Sequence, residues 1–185
     1  MRLFVSVDLP PSFTDRVSDL QREFEDVSGL DLVDPAQTHV TLKFLGEVTA
    51  DRIPALESGL AGALEESGLD PFTVRYAGLG VFPSLEYIRV LWLGVEDGSE
   101  ALTRLHERIE ARTTAMGFDS DSHEFTPHVT LGRMKHAGGK DRVQELVRER
   151  TPELGETTVD AISLTESTLT PGGPAYETVA SFPLE

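Results

Sequence analysis

The chain has 185 residues, of which 32 are acidic and 16 are basic, so its formal net charge is −16. This charge excludes proteins that coat nucleic acid through a broad basic face and proteins that dock on anionic membranes, because both need many lysines and arginines. The lack of cysteine excludes disulfides, zinc–thiolate sites and cysteine nucleophiles. With 39% hydrophobic residues, the chain can still bury a core.

Hydrophobic periodicity and turn residues predict strands and helices in alternation along one bilobal domain, residues 1–185. The predicted strands cover residues 2–8, 39–45, 72–82, 87–95, 128–134, 157–169 and 176–182. The predicted helices cover residues 14–27, 51–66, 99–116 and 140–149. The longest strongly apolar run, 90–95, is far below the roughly 18 residues that a membrane span requires, and the N-terminus is too polar for a signal-peptide core. We therefore expect a cytoplasmic protein.

The order of these elements repeats in the two halves of the chain. The tetrapeptide His-Val-Thr-Leu occurs at residues 39–42 and again at 128–131. In the first half it follows a strand that begins at Arg2 and a helix, and in the second half it follows a strand that begins at Arg89 and a helix. Such a repeat predicts two lobes related by a pseudo-two-fold axis, with equivalent positions facing each other across a central cleft.

Each tetrapeptide combines residues suited to phosphate chemistry. Alternation along a strand places its histidine and threonine on the cleft face and its valine and leucine against the helices. Two imidazoles, His39 and His128, can divide the work of an acid and a base near neutral pH. Two hydroxyls, Thr41 and Thr130, can donate to the oxygens of a bound anion. The set favours cleavage of a phosphodiester without a metal, the alternative being that both segments are ordinary strands.

The two tetrapeptides resemble the paired His-x-Thr-x motifs of the 2H phosphoesterase superfamily. The stretches RLFVSVDLP, HVTLKFLGEV, FTPHVTLGR and TPGGPAYETVASFPL are similar to the RNA 2′,3′-cyclic phosphodiesterase branch, historically called 2′-5′ RNA ligase. The resemblance covers nearly the whole chain. It implies a bilobal, duplicated α+β fold with antiparallel sheets flanking a central cleft and helices on the outside. It also implies metal-independent hydrolysis of a terminal 2′,3′-cyclic phosphate to a 2′-phosphomonoester.

The resemblance further implies roles for five residues. His39 would be the general acid on the departing 3′ oxygen and His128 the general base on water, while Thr41 and Thr130 would hold phosphate oxygens. Arg133 matches a family arginine and is expected to bind substrate. As the fifth residue after His128 it has the opposite strand parity, so we expect it to reach back around the strand end. No cofactor or metal is implied. The expected partners are RNA ends carrying a 2′,3′-cyclic phosphate, with no membrane, and a monomer is favoured.

Two other functions stay open on the sequence alone. One is a 2′-5′ RNA ligase that runs the reverse reaction, joining a cyclic phosphate end to a 5′-hydroxyl. The other is a module that binds a phosphate end without turnover. An anion site of that kind would favour arginine or backbone N–H groups over two titrating imidazoles, which speaks for the enzyme.

Several other side chains are assigned to structural or solvent-exposed roles. Lys43 shares strand parity with His39, but a solvated lysine is favoured. His106 is expected to be exposed on its helix. Core packing is favoured over base stacking for three aromatic residues: Phe44, Phe125 and Tyr176.

Overall fold

The computed structural model describes residues 1–184, in which there are nine strands and four α-helices. The strands are β1 (Arg2–Asp8), β2 (Leu30–Leu32), β3 (His39–Glu47), β4 (Phe72–Pro83), β5 (Ile88–Val95), β6 (His128–Met134), β7 (Glu153–Val159), β8 (Ala161–Thr170) and β9 (Gly173–Pro183). The helices are α1 (Thr14–Arg22), α2 (Ile53–Ser67), α3 (Ser99–Ala115) and α4 (Lys140–Glu149). The predicted helices α2, α3 and α4 and most predicted strands are therefore confirmed within a few residues.

Three local predictions are wrong. The single strand predicted over 157–169 is two strands, β7 and β8, which separate at Asp160 and lie in different parts of the sheet. Strand β2 is not predicted, because three residues are too few to show a period of two. Helix α1 ends at Arg22, and the chain continues in turns to Gly29, whose φ of 80° is accessible mainly to glycine.

All nine strands form one antiparallel sheet that consists of two half-sheets. The first half-sheet has the strand order β9-β8-β1-β3, and the second has the order β6-β5-β4-β7. They meet between β3 and β6, where one residue pair, Val40 and Val129, is in register, and β2 pairs with the far end of β6. The predicted α+β class with antiparallel strands is confirmed, and the two predicted sheets are continuous through this bridge.

Each half-sheet with its helices is assembled from both sequence repeats. The first repeat supplies β1 and β3 to the first half-sheet, but its helix α1 packs on the second half-sheet. There Gln21 Nε2 donates to the Leu131 carbonyl at 3.1 Å, and Arg16 donates to the Leu154 carbonyl at 2.8 Å. Strand β4 of the first repeat also joins the second half-sheet, while α3 and β8 of the second repeat join the first. The two repeats are therefore interlocked.

The core lies between the sheet and the helices. On α2 the residues Leu56, Leu60 and Ala63 are fully buried, and on β3 Val40 and Leu42 are buried toward α3. The residues of β3 that alternate with these valine and leucine side chains are half-buried and belong to the other face of the sheet. No helix in residues 1–184 is both long and apolar enough to span a membrane.

Candidate active site

The bridge between β3 and β6 determines how the four motif residues are arranged. Because the two strands are antiparallel, the register that extends from the bridge places His39 opposite Thr130 and His128 opposite Thr41. All four side chains are half-buried and lie on the face opposite to the buried valines. Histidine and threonine therefore alternate around one centre, and the four residues predicted from the two tetrapeptides are brought together.

Each motif imidazole is held by the carbonyl group two residues earlier. His39 Nδ1 lies 3.0 Å from the Gln37 carbonyl oxygen, and His128 Nδ1 lies 2.6 Å from the Thr126 carbonyl oxygen. A carbonyl oxygen only accepts hydrogen bonds, so we assign the hydrogen of each ring to Nδ1. The Nε2 atom of each ring is then free to exchange a proton with a ligand in the cleft.

Aromatic rings from neighbouring strands pack against each imidazole. The ring centre of His39 lies 4.9 Å from that of Phe4 and 5.2 Å from that of Tyr176. The ring centre of His128 lies 4.9 Å from that of Phe82. These contacts fix the ring planes and exclude water from one side of each imidazole. The sequence alone does not indicate Phe4 or Phe82, because both lie in strands where an aromatic residue is typical of core packing.

The two histidines sit in related but unequal electrostatic environments. Burial lowers the pKa of His39 below its ordinary 6.5, the Nδ1 hydrogen bond and the Asp8 carboxylate oppose this effect, and the Arg133 charge adds to it. Burial also lowers the pKa of His128, the Nδ1 hydrogen bond opposes it, and the charges of Arg133 and His39 add to it. A carboxylate thus acts on the pKa of His39, whereas the charged groups that act on His128 are cations.

The predicted path of Arg133 around the strand end is wrong, because β6 contains a bulge. Leu131 is an extra residue between the positions of β6 that pair with β5. Such a bulge reverses the alternation of side chains, so Arg133 lies on the same face as Thr130 and His128. After burial, the Arg133 charge is a cause of the lowered pKa of both His39 and His128. Arg133 therefore faces the cleft from within the strand.

An equivalent bulge at Leu42 in β3 corrects the predictions for Phe44 and Lys43. Phe44 lies on the cleft face and is 67% exposed, so it does not pack in the core. Lys43 points toward the helices and is only 1% exposed. Its Nζ lies 2.8 Å from Glu110 Oε2 and 3.3 Å from Asp121 Oδ1, so it is a buried, ion-paired lysine and not a solvated one.

His106 is also buried, contrary to the prediction. It is 7% exposed, its Nδ1 lies 2.8 Å from the Leu42 carbonyl oxygen, and its ring stacks on Phe125 at 4.2 Å. Phe125 therefore packs against the core as predicted. His106 and the two carboxylates that pair with Lys43 place ligand atoms within 4.8 Å of one another. The Lys43 ammonium group already forms ion pairs with both carboxylates, and the cluster lies on the helix side of β3, away from the cleft.

A cavity of about 180 Å³ opens beside His39. Its walls include Asp8, Tyr176 and Thr178, together with residues 36–38. Tyr176 thus lines this cavity and contacts His39 in place of the predicted core packing. The cavity gives the His39 side of the cleft room for part of a ligand.

One His-x-Thr pair from each repeat, meeting across a pseudo-symmetric α+β sheet, is the arrangement that the sequence resemblance predicts for a 2H phosphoesterase. The family model described as the 2′-5′ RNA ligase superfamily matches residues 9–170. The chain belongs to this superfamily.

Relatives of similar length are found in two archaea. An RNA 2′,3′-cyclic phosphodiesterase of Methanothermobacter thermautotrophicus is 36% identical over 186 residues, covering 100% of this chain and 99% of the relative. One of Archaeoglobus fulgidus is 37% identical over 183 residues, covering 98% of this chain and 99% of the relative. The similarity therefore extends over both repeats.

Two solved structures share the fold over nearly the whole length. TT0787 of Thermus thermophilus matches with a TM-score of 0.81 and 30% identity, over 100% of this chain and 98% of that one. E. coli LigT complexed with 3′-AMP matches with a TM-score of 0.81 and 26% identity, over 99% of this chain and 97% of that one. The interlocked sheet is thus a known architecture.

Proposed function

We propose that this chain is an RNA 2′,3′-cyclic phosphodiesterase, which hydrolyses the terminal cyclic phosphate of RNA to a 2′-phosphomonoester. The observation that carries the proposal is the pair of imidazoles held through Nδ1 on two facing strands, each with Nε2 free toward one centre. Full-length archaeal relatives that bear this name support the same activity.

In the proposed reaction the phosphorus atom lies between the two histidines. His128 Nε2 takes a proton from water as the water oxygen bonds to phosphorus. The bond between phosphorus and O3′ breaks, and His39 Nε2 gives its proton to O3′, so the phosphate stays on O2′. Water then returns His128 to its neutral form and His39 to its protonated form. Acid and base on opposite sides suit an in-line displacement, because the attacking and departing oxygens are on opposite sides of phosphorus.

Three further groups are proposed to hold the non-bridging oxygens of the phosphate. Thr41 and Thr130 alternate with the histidines and can each donate a hydrogen bond to an oxygen. Arg133 lies on the same face and presents a planar guanidinium that can donate two parallel hydrogen bonds. As negative charge accumulates on the phosphorane-like transition state, these fixed donors stabilise it more than the ground state. No metal is needed in this scheme.

The direct test uses a short RNA that ends in a 2′,3′-cyclic phosphate, incubated with the protein in EDTA. We expect hydrolysis by the unmodified chain and losses of about 100- to 10,000-fold in His39→Ala and in His128→Ala. His123→Ala, which removes an exposed loop histidine, is the matched control and should keep full activity. An inactive unmodified chain would contradict the proposal, and a requirement for added metal would contradict the two-histidine mechanism.

The same assay distinguishes the alternative functions. Adding an RNA with a 5′-hydroxyl end would reveal the ligase reaction as a 2′-5′ joined product. A binding module would retain the cyclic phosphate RNA without converting it. The proposal also includes a cytoplasmic and monomeric enzyme, which cell fractionation and size-exclusion chromatography would test.

A further inference from the structure

The pseudo-symmetry of the site is broken on the strands beside the two motifs. In β1, Asp8 is the register partner of His39, and in β5, Gly94 is the register partner of His128. Directly paired residues of antiparallel strands point to the same face and are close neighbours. His39 therefore has a carboxylate as its cross-strand neighbour, and His128 has a hydrogen atom at the equivalent place.

The second half of the site has no room for such a carboxylate. A Cβ atom added at Gly94 would lie 2.8 Å from the carbonyl oxygen of Ala77, which is closer than real Cβ contacts. That oxygen belongs to the backbone of β4, so the sheet itself would have to shift to admit a side chain. The difference between the two halves is thus built into the backbone as well as into the sequence.

The Asp8 carboxylate has a defined position. Ser6 Oγ donates to Asp8 Oδ1 at 3.1 Å, and Ser163 Oγ donates to Asp8 Oδ2 at 3.1 Å. The two serines come from β1 and β8, so both oxygens are tied to the sheet. Asp8 and His39 also line the same cavity.

Other groups around His39 do not replace the Asp8 charge. Arg133 and His128 approach from β6, and Tyr176 approaches from β9. Both β6 groups carry or can carry positive charge, so neither can replace a carboxylate. Among the charged groups that shift the pKa of His39, after burial, Asp8 raises it and Arg133 lowers it.

We propose that Asp8 is the positioning residue that makes His39 the general acid and leaves His128 as the general base, an inference that rests on the proposed function. The fixed carboxylate stabilises the imidazolium form of His39, which then carries a proton on Nε2 toward the departing oxygen. Within residues 1–184, the charged groups that act on His128 are the cations Arg133 and His39, which favour its neutral form, so it accepts the proton of water. One strand position thus gives two identical motifs opposite roles.

The test compares Asp8→Asn with Glu47→Gln. Asparagine has the shape of aspartate and still accepts a hydrogen bond, so the Ser6 contact can persist without the charge. Glu47 lies at the other end of the same strand pair and is exposed, so its variant removes one negative charge far from His39. The imidazole Cε1–H signals of His39 and His128 are titrated by NMR in the free protein. The pH profile of kcat/KM is measured with cyclic phosphate RNA.

We expect Asp8→Asn to lower the measured pKa of His39 by about 0.5 to 1 pH unit and not to lower that of His128. The alkaline limb of kcat/KM should move to lower pH by the same amount, because that limb reports the acid. Glu47→Gln should change neither. Unchanged titration of His39, or a shift of the acidic limb instead, would overturn the inference while the enzyme remained active. An unmodified chain that does not hydrolyse the RNA would instead contradict the proposed function.

Discussion

Phe44 and Arg133 occupy equivalent places in the two halves of the cleft. Each is the fifth residue after its motif histidine, and each follows a bulge that returns it to the histidine's face of the sheet. Arg133 is a cation that attracts phosphate, and Phe44 is an exposed ring on which a base can stack. A nearly symmetric frame therefore offers different chemistry at its two ends, as an asymmetric nucleotide requires.

Replacement of Arg133 should impair catalysis more than substrate binding. We expect Arg133→Met to lower kcat by about 100-fold with a much smaller change in KM, because a charged donor to the transition state is lost, and Arg133→Lys to recover part of this loss. Arg148→Met, on the exposed side of α4, removes the same charge far from the cleft and serves as the control. Equal activity of the Arg133 and Arg148 variants in steady-state assays would count against a role of Arg133 in the site.

The dependence of kcat/KM on pH should be bell-shaped and centred below pH 6.5. Burial lowers the pKa of both His39 and His128 from 6.5, so both transitions occur on the acid side of that value. As the pH falls, His128 becomes protonated and can no longer accept a proton. As the pH rises, His39 loses the proton it must donate. A rate that stays flat from about pH 5 to 9, with chemistry rate-limiting, would rule out these paired roles.

Removal of the motif hydroxyls should lower kcat by about 100-fold for each residue. Thr41→Val and Thr130→Val keep the side-chain shape and remove the donor, whereas the serine variants keep the donor and should retain most activity. Single-turnover kinetics would separate the chemical step from binding. The assignment of the hydroxyls to the phosphate oxygens would be wrong if the valine variants matched the serine variants.

The buried Lys43 should stabilise the fold through its contacts with Glu110 and Asp121. We expect Lys43→Met to lower the free energy of unfolding by about 2 kcal/mol near pH 7, because two carboxylates lose their counterion in a partly buried place. Lys135→Met is the control, since its ion pair with Asp31 is exposed and should contribute less than about 1 kcal/mol.

This contribution should disappear in acid. Burial raises the pKa of Glu110, but the hydrogen bonds from Lys43 and from the backbone N–H of Asp121 outweigh this effect. The pKa of Glu110 is therefore below its ordinary 4.5. A carboxyl group with a lowered pKa in the folded state stabilises the fold above its unfolded pKa and loses that effect as the pH falls through the folded value. Urea denaturation should show that the difference in free energy of unfolding between the unmodified chain and Lys43→Met is smaller near pH 3.5 than near pH 7. The same difference at both pH values would contradict this account.

Activity should depend weakly on salt despite the RNA substrate. With a net charge of −16, few phosphates beyond the terminal one can meet a cation on the protein. We therefore expect log(kcat/KM) to fall with log[salt] with a slope of about −1, as for one or two neutralised phosphates. The measurement uses RNAs of increasing length. A slope that becomes steeper with RNA length would show that the protein neutralises further phosphates through additional lysines or arginines.

The meeting of the two His-x-Thr motifs and the strand–helix order were predictable from the sequence, because strand alternation and the repeated tetrapeptide depend on local patterns. The face on which Lys43, Phe44 and Arg133 lie was not, since the extra residues Leu42 and Leu131 reverse the alternation just before them. Such a bulge is visible only in the pairing with β1 and β5.

The partners of His39 were not predictable for a different reason. Asp8, Phe4 and Tyr176 come from β1 and β9, and no sequence pattern indicates which strand will lie next to another. The prediction that His106 is exposed was wrong for the same reason. A polar residue on a helix is normally exposed, but the partner of His106 is a carbonyl group in β3. Long-range pairing, not local propensity, placed these side chains.

The interlocking of the repeats has a consequence for the assembly of the fold. Residues 1–86 contain two strands of one half-sheet together with a helix and a strand of the other. Neither repeat by itself contains all the strands of one half-sheet, so folding of either half requires both repeats. The two histidines come from different repeats and meet only at the bridge between β3 and β6, so the site can form only when both repeats have folded together.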